Sequence, residues 1–149
     1  MTKEAIRLVQ QTWVTVIPVS QTLGEAFYRK LFTAEPLVKH LFKTDIKEQA
    51  CKLTQMFTHI ISHLDRLEDV RGDLHRLGQR HNQYKVKPEY YAIVGESLIA
   101  TLEQQLGEKW TGATKAAWID FLTIVFEAMM QGQGNYIWPF HLDTGSERN

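Results

Sequence analysis

Apolar residues recur at steps of three or four positions along most of this chain, and this period constrains the fold more than any other feature. The first such stripe follows Thr2, a suitable helix cap, and ends before Pro18; its members are Ile6, Val9, Trp13 and Val16. Similar stripes occupy residues 19–34, 47–64, 70–81, 88–106 and a last segment from about 111. The sequence has no long alternating pattern and no Asn-Gly or Asp-Gly hairpin turn, so we predict an all-α fold.

Prolines and glycines mark the ends of the predicted helices. Pro36 suits the first turn of a short helix that reaches Phe42, Pro88 begins a longer helix, and Gly107 ends it. A Gln-Gly-Gln-Gly run at 131–134 breaks the last helix. Because the corners differ in shape and no repeat of roughly 30–45 residues is visible, neither an up-and-down bundle nor a solenoid is expected. We predict one irregular helical domain over residues 1–134 and a tail over residues 135–149.

Charge and cysteine content limit the partners that the chain is expected to bind. The 149 residues include 17 basic and 17 acidic side chains, which cancel, and no basic block suggests nucleic acid or an anionic membrane surface. Cys51 is the only cysteine, so an internal disulfide and a cysteine-based zinc cluster are excluded. The sequence shows neither a signal-peptide pattern nor a membrane-spanning apolar run. We expect a cytoplasmic protein with a small ligand.

Two groups of histidines are candidates for binding a metal. His59 and His63 lie four positions apart and share a helix face, as zinc ligands do, but no glutamate adjoins His59 and no third ligand is evident. A solvated helix face is the more common reason for such a pair. His81 ends a predicted helix, where one ring nitrogen could face a metal while the other donates to a carbonyl near Leu77. A lone axial ligand suits haem iron, because the porphyrin supplies the other four ligands.

Four segments make the sequence recognisable. They are FYRKLF at 27–32, EPLVKHLF at 35–42, QACKL at 49–53 and RHNQYKVKPEYYAIVGESLIATL at 80–102. Through them the chain resembles the globin family along nearly its whole length, and most closely the single-domain bacterial globins and the globin domain of flavohaemoglobins. The resemblance implies a globin fold enclosing haem b.

On the proximal side of the haem, the resemblance implies that His81 is the iron ligand and that Phe42 wedges the haem at a corner. Tyr91 matches a tyrosine that neighbours the proximal histidine in flavohaemoglobins. The glutamate that completes this hydrogen-bonded group corresponds to Gln133, and a neutral amide pushes less electron density toward the iron. His75 is a competing ligand that the sequence context disfavours.

On the distal side, the resemblance implies three residues that face the bound gas. Tyr28 would be the distal tyrosine, Gln49 the polar residue of the distal helix and Leu53 the apolar residue above the iron. Gln49 and Leu53 are one helical turn apart and so share a face. A phenol and an amide would then both donate to a ligand, unless Tyr28 bonds a backbone carbonyl instead. Cys51 is expected to face away from the haem, with a thiolate ligand as the weaker alternative.

The resemblance implies reversible binding of dioxygen, nitric oxide and carbon monoxide, as a carrier or with nitric oxide dioxygenation as a reaction. Flavohaemoglobins supply the electron for that reaction from fused flavin and nicotinamide domains. The 149 residues contain no Gly-rich dinucleotide fingerprint and we expect no such domains after position 149, so a separate reductase is expected. A haem-based gas sensor is the alternative function, and a globin fold without haem is a third.

The tail contains an aromatic segment, NYIWPF at 135–140, before a polar end. Its aromatic side chains either pack back onto the domain, cover the haem pocket as a lid, or form a homo-oligomer contact, because aromatic residues are enriched at interfaces.

Overall fold

The computed structural model describes residues 1–42, 44–83 and 88–132, and within these ranges the chain is helical with no strand. The six α-helices are α1 (Lys3–Val16), α2 (Ser20–Ala34), α3 (Ile46–Ser62), α4 (Glu68–Gln83), α5 (Pro88–Leu106) and α6 (Gly112–Gly132). Short 3-10 helices occupy Ile17–Val19, Pro36–Leu41, Leu64–Arg66 and Gly107–Lys109. The all-α prediction is confirmed. The predicted domain boundary at 134, the tail and Gln133 lie outside the described residues.

Local sequence signals explain most of the helix ends. The Thr2 hydroxyl accepts a hydrogen bond from the Ala5 backbone N–H at 3.0 Å, so it caps α1 as expected. Asp45 caps α3 in the same way, accepting from the Glu48 N–H at 2.8 Å. Gly107 has a φ of 54°, a left-handed conformation that ends α5 and that glycine adopts without strain. The helix predicted over 47–64 instead ends at Ser62, and a 3-10 turn follows it.

An aromatic cluster joins α1, α3 and α6 in the core. The indole of Trp13 lies 5.6 Å from the ring of Phe57, and Trp118 lies 5.4 Å from Phe121, each pair edge to face. Phe57 and Trp118 are 6.4 Å apart, which connects the two pairs. Trp118 and Phe121 are completely buried. Rings in this geometry add about 0.5–1.5 kcal/mol per pair to the area they bury, so this cluster fixes how the three helices cross.

Two glycines allow unusually close helix crossings. A Cβ atom added at Gly24 in α2 would lie 2.8 Å from the Cβ of Ala50 in α3. A Cβ added at Gly78 in α4 would lie 1.9 Å from the carbonyl oxygen of Met129 in α6. Helix α3 therefore packs on α2, and α4 packs on α6. As a result, α3 and α4 face each other across a cleft.

No helix within the described residues is both long enough and apolar enough to cross a membrane.

Candidate functional site

The cleft between α3 and α4 contains a cavity of about 820 Å³, closed at one end by α2 and by the corner that follows the Pro36–Leu41 helix. Binding sites for cofactors and drug-sized ligands have volumes of about 300–1,000 Å³, so the cavity is large enough for such a molecule. The residues that line it are Tyr28, Leu41, Phe42, Thr44, Gln49, Lys52, Leu53, Gln55, Met56, His59, Ile60, Asp73, Leu74, Arg76, Leu77 and Arg80.

Tyr28 presents a buried polar group to this cavity. Its side chain is only 6% exposed, and its ring packs 5.4 Å from the ring of Phe42. Burial raises the pKa of the hydroxyl above its ordinary value, so the group stays protonated at neutral pH and can donate a hydrogen bond. Across the described ranges the hydroxyl has no hydrogen-bond partner, and the alternative in which it bonds a backbone carbonyl is therefore not observed.

Gln49 and Leu53 line the same cavity from α3, one helical turn apart as predicted. Both are half-buried. The side-chain amide of Gln49 donates a hydrogen bond to the hydroxyl of Thr44, at the corner before α3. The structure therefore brings Tyr28, Phe42, Gln49 and Leu53, four of the residues named through the resemblance, together in one cavity.

The mouth of the cavity carries polar and charged residues whose place beside the cavity the sequence analysis did not predict. His59 Nε2 in α3 lies 3.1 Å from Asp73 Oδ2 in α4, which links the two walls. Arg76 also pairs with Asp73, and Lys52 and Arg80 complete the cavity's cationic edge. The hydrogen bond from His59, followed by that from Arg76, lowers the pKa of the Asp73 carboxyl. Each charge looks like ordinary solvated surface in the sequence, because only the tertiary fold brings α3 and α4 together.

Position 81 lies in α4, but the His81 side chain is outside the described residues. The position follows Leu77 by four residues and Leu74 by seven, and both leucines line the cavity. Residues at these spacings share one face of a helix. The backbone therefore places position 81 on the face of α4 that borders the cavity, where the resemblance requires the iron ligand.

Tyr91 does not line the cavity as far as the structure describes it. Its side chain is 3% exposed in α5, and its ring packs 5.3 Å from Phe126 in α6. Burial raises the pKa of its hydroxyl as well. The prediction that Tyr91 neighbours His81 lies outside the described residues.

His75 and Cys51 occupy places that make them poor ligands for this cavity. His75 Nε2 lies 3.3 Å from Gln131 Oε1, on the side of α4 that packs against α6. Cys51 is exposed and is not among the lining residues, as expected. The ring centroids of His59 and His63 lie 5.0 Å apart, but the described part of the chain contains no group of three or more potential metal ligands. The solvated-face interpretation of that pair therefore remains preferred over a zinc site.

The donor set and the shape of the cavity fit a haem. The inner walls are apolar, with Phe42, Leu53 and Leu77 among their residues, and they suit a flat hydrophobic ring. The cationic mouth suits the carboxylates that such a cofactor carries on one edge, because charged groups are best held where water reaches them. One helix position bordering the cavity is sufficient to supply an axial ligand.

Comparison with known proteins agrees with this geometry. The sequence profile of the family named Globin matches residues 25–129, more than half of the chain. The chain belongs to the globin family. Neuroglobin-2 of Oncorhynchus mykiss is 27% identical over 146 residues, covering 89% of this chain and 92% of that protein. Neuroglobin of Tetraodon nigroviridis is 27% identical over 139 residues, covering 84% of this chain and 87% of that protein.

Bacterial relatives match as well. A flavohemoprotein of Vibrio cholerae is 26% identical over 121 residues, covering 79% of this chain and 31% of that longer protein. The resemblance to flavohaemoglobins is thus confirmed, and neuroglobins, which the sequence analysis did not name, share the similarity. As a globin, the chain binds haem and, with it, diatomic gases such as dioxygen.

Proposed function

We propose that the chain binds haem b between α3 and α4, with His81 as the iron ligand, and reversibly binds dioxygen, nitric oxide and carbon monoxide. When bound, the haem iron supplies the coordination site for these gases. The observation that carries the proposal is Tyr28, a buried side chain that lines the cavity and whose hydroxyl has no hydrogen-bond partner within the described residues. A donor on a buried side chain that has no protein partner is available to a ligand in the cavity, so this hydroxyl indicates where a polar ligand would lie.

The residues around Tyr28 make its hydroxyl effective as a donor. Phe42 and Leu53 keep the inner end of the cavity apolar, which excludes water that would compete for the hydrogen bond. The raised pKa keeps the hydroxyl protonated, so it donates a hydrogen bond to the ligand and retains its proton. A hydrogen bond to a ligand that carries partial negative charge is worth about 1–3 kcal/mol in such a site. That corresponds to roughly a tenfold to hundredfold slower release of dioxygen.

The experiment is the rate of dioxygen dissociation in Tyr28→Phe. Phenylalanine keeps the ring against Phe42 and removes only the hydroxyl, so we expect roughly tenfold to hundredfold faster release. Tyr90→Phe is the matched control, because Tyr90 is half-buried in α5 and is not among the cavity-lining residues. An unchanged rate in Tyr28→Phe would remove this residue from the site.

Nitric oxide dioxygenation is a second candidate, supported by the similarity to flavohemoproteins. Conversion of nitric oxide and dioxygen into nitrate consumes one electron, and we propose that a separate reductase supplies it. Nitrate formation should then depend on added reductase and its nicotinamide donor. Stoichiometric gas binding without sustained nitrate formation in that mixture would leave reversible binding as the function.

A further inference from the structure

The corner before α3 restrains one of the two polar groups in the cavity. The backbone of Gln49 is fixed because its N–H donates to the Asp45 carbonyl at 3.0 Å, in the first turn of α3. Asp45 in turn caps the helix through the Glu48 N–H. With the backbone held, the direction of the Gln49 amide depends on its own side-chain torsions and on the group that it meets.

That group is the hydroxyl of Thr44, which accepts a hydrogen bond from Gln49 Nε2. Both side chains are half-buried and both line the cavity. Within the described residues, Thr44 is the only hydrogen-bond partner of this amide, and the Tyr28 hydroxyl is not bonded to it. The two polar groups on the distal side therefore differ: the Tyr28 hydroxyl has no partner among the described residues, whereas Thr44 engages one of the two N–H donors of the Gln49 amide and sets the direction of that amide.

We propose that Thr44 is a positioning residue, which holds the Gln49 amide at the cavity wall and leaves Tyr28 as the donor to the bound gas. Loss of the Thr44 hydroxyl releases the amide, which then donates to the ligand as a second group and slows its release. This inference rests on the proposed function, because it concerns ligands in the same cavity. It also replaces the expectation that Gln49 and Tyr28 act additively in the native protein.

The experiment is a double-mutant cycle on dioxygen dissociation, with Thr44→Val, Thr44→Ser, Gln49→Leu and the Thr44→Val Gln49→Leu double variant. Valine has the shape of threonine without the hydroxyl, whereas serine keeps the acceptor. We expect Thr44→Val to slow release about 2- to 12-fold, the effect of one hydrogen bond. Thr44→Ser should release dioxygen at a rate close to that of the parent. In a protein that already carries Gln49→Leu, adding Thr44→Val should not change the rate of release.

The infrared stretch of carbon monoxide in the ferrous protein provides an independent readout. A second donor near the ligand shifts this band, so Thr44→Val should show a shift that Thr44→Ser and the double variant lack. Should Thr44→Val fail to fold, Thr44→Ala removes the same hydroxyl and is measured in its place.

The outcomes separate this inference from the proposed function. A parent protein without a haem spectrum would overturn the proposed function and this inference with it. A parent with a normal spectrum, but equal dissociation rates in Thr44→Val and Thr44→Ser, would overturn the role of Thr44 alone. A Thr44→Val effect that persists with Gln49→Leu would also overturn it, because the effect would not pass through the amide.

Discussion

Replacing Gly78 by alanine tests whether the packing of α4 against α6 sets the position of the α4 wall of the cavity. The added Cβ would lie 1.9 Å from the Met129 carbonyl oxygen, about 1.5 Å short of the 3.4 Å at which ordinary contact begins. The obstacle is backbone and cannot rotate away, so α4 has to move. Leu77 adjoins this glycine and lines the cavity, and position 81 follows three residues later, so the movement also displaces the cleft wall.

The expected loss follows from two opposing effects. Forcing an extra methyl group into a packed contact lowers the free energy of unfolding by about 1–3 kcal/mol. We expect a loss near the upper end of this range, because the added atom meets backbone rather than a side chain that can move. Alanine in place of a mid-helix glycine by itself raises the free energy of unfolding by about 0.5–1 kcal/mol. The net prediction is a free energy of unfolding lowered by about 2 kcal/mol.

Gly72→Ala is the matched control, because Gly72 lies in the same helix and is exposed. The atom nearest to its added Cβ would be Arg76 Nη1 at 3.5 Å, the end of a flexible side chain. The free energy of unfolding of Gly72→Ala should be about 0.4–1 kcal/mol higher than that of the parent. The assay is urea unfolding of both apoproteins, followed by haem titration. Equal stability of the two variants would refute the argument that Gly78 sets the position of α4.

Two further predictions concern the cavity mouth and the tail. Hydrogen bonds from His59 and Arg76 lower the pKa of the Asp73 carboxyl in the folded protein. The carboxylate therefore stabilises the fold at pH values above the pKa that it has in the unfolded chain. This stabilisation is lost as the pH falls through the lower pKa of the folded state. At neutral pH, Asp73→Asn should therefore have a lower free energy of unfolding than the parent, and this difference should shrink below about pH 4. A difference, measured by urea unfolding, that stays constant from pH 7 to pH 3 would contradict this. If the aromatic tail joins two copies, deletion of residues 135–149 should change the mass measured by light scattering from that of a dimer to that of a monomer, whereas a monomer both with and without the tail would rule out that role.

Local signals made the helices predictable. Pro36 and Pro88 begin helical segments at the expected places, and Gly107 ends α5. Each of these signals acts within one turn of its own position, so sequence alone suffices to interpret it. Tyr28, Phe42, Gln49 and Leu53 were named as site residues through the resemblance rather than through periodicity, since apolar spacing alone does not distinguish a cofactor wall from a core.

Features that depend on distant partners were missed. Gly78 looks unfavourable inside a helix, and the reason for it is a carbonyl in α6, 51 positions away in the sequence. His59 and Asp73 are separated by 14 positions, and only the crossing of α3 and α4 brings them together. The bond between Thr44 and Gln49 spans five positions, but it requires the particular shape of the corner before α3. In each case the missing information was tertiary geometry.

The absorption spectrum of the His81→Ala variant, reconstituted with haemin, tests the central claim most directly. His75→Ala is the control, because His75 lies on the side of α4 that faces α6. We predict that the parent and His75→Ala give the same ferric, ferrous and carbon monoxide spectra, whereas His81→Ala loses the histidine-ligated spectrum. Identical spectra and gas binding in His81→Ala and the parent would contradict the assignment of this residue as the iron ligand.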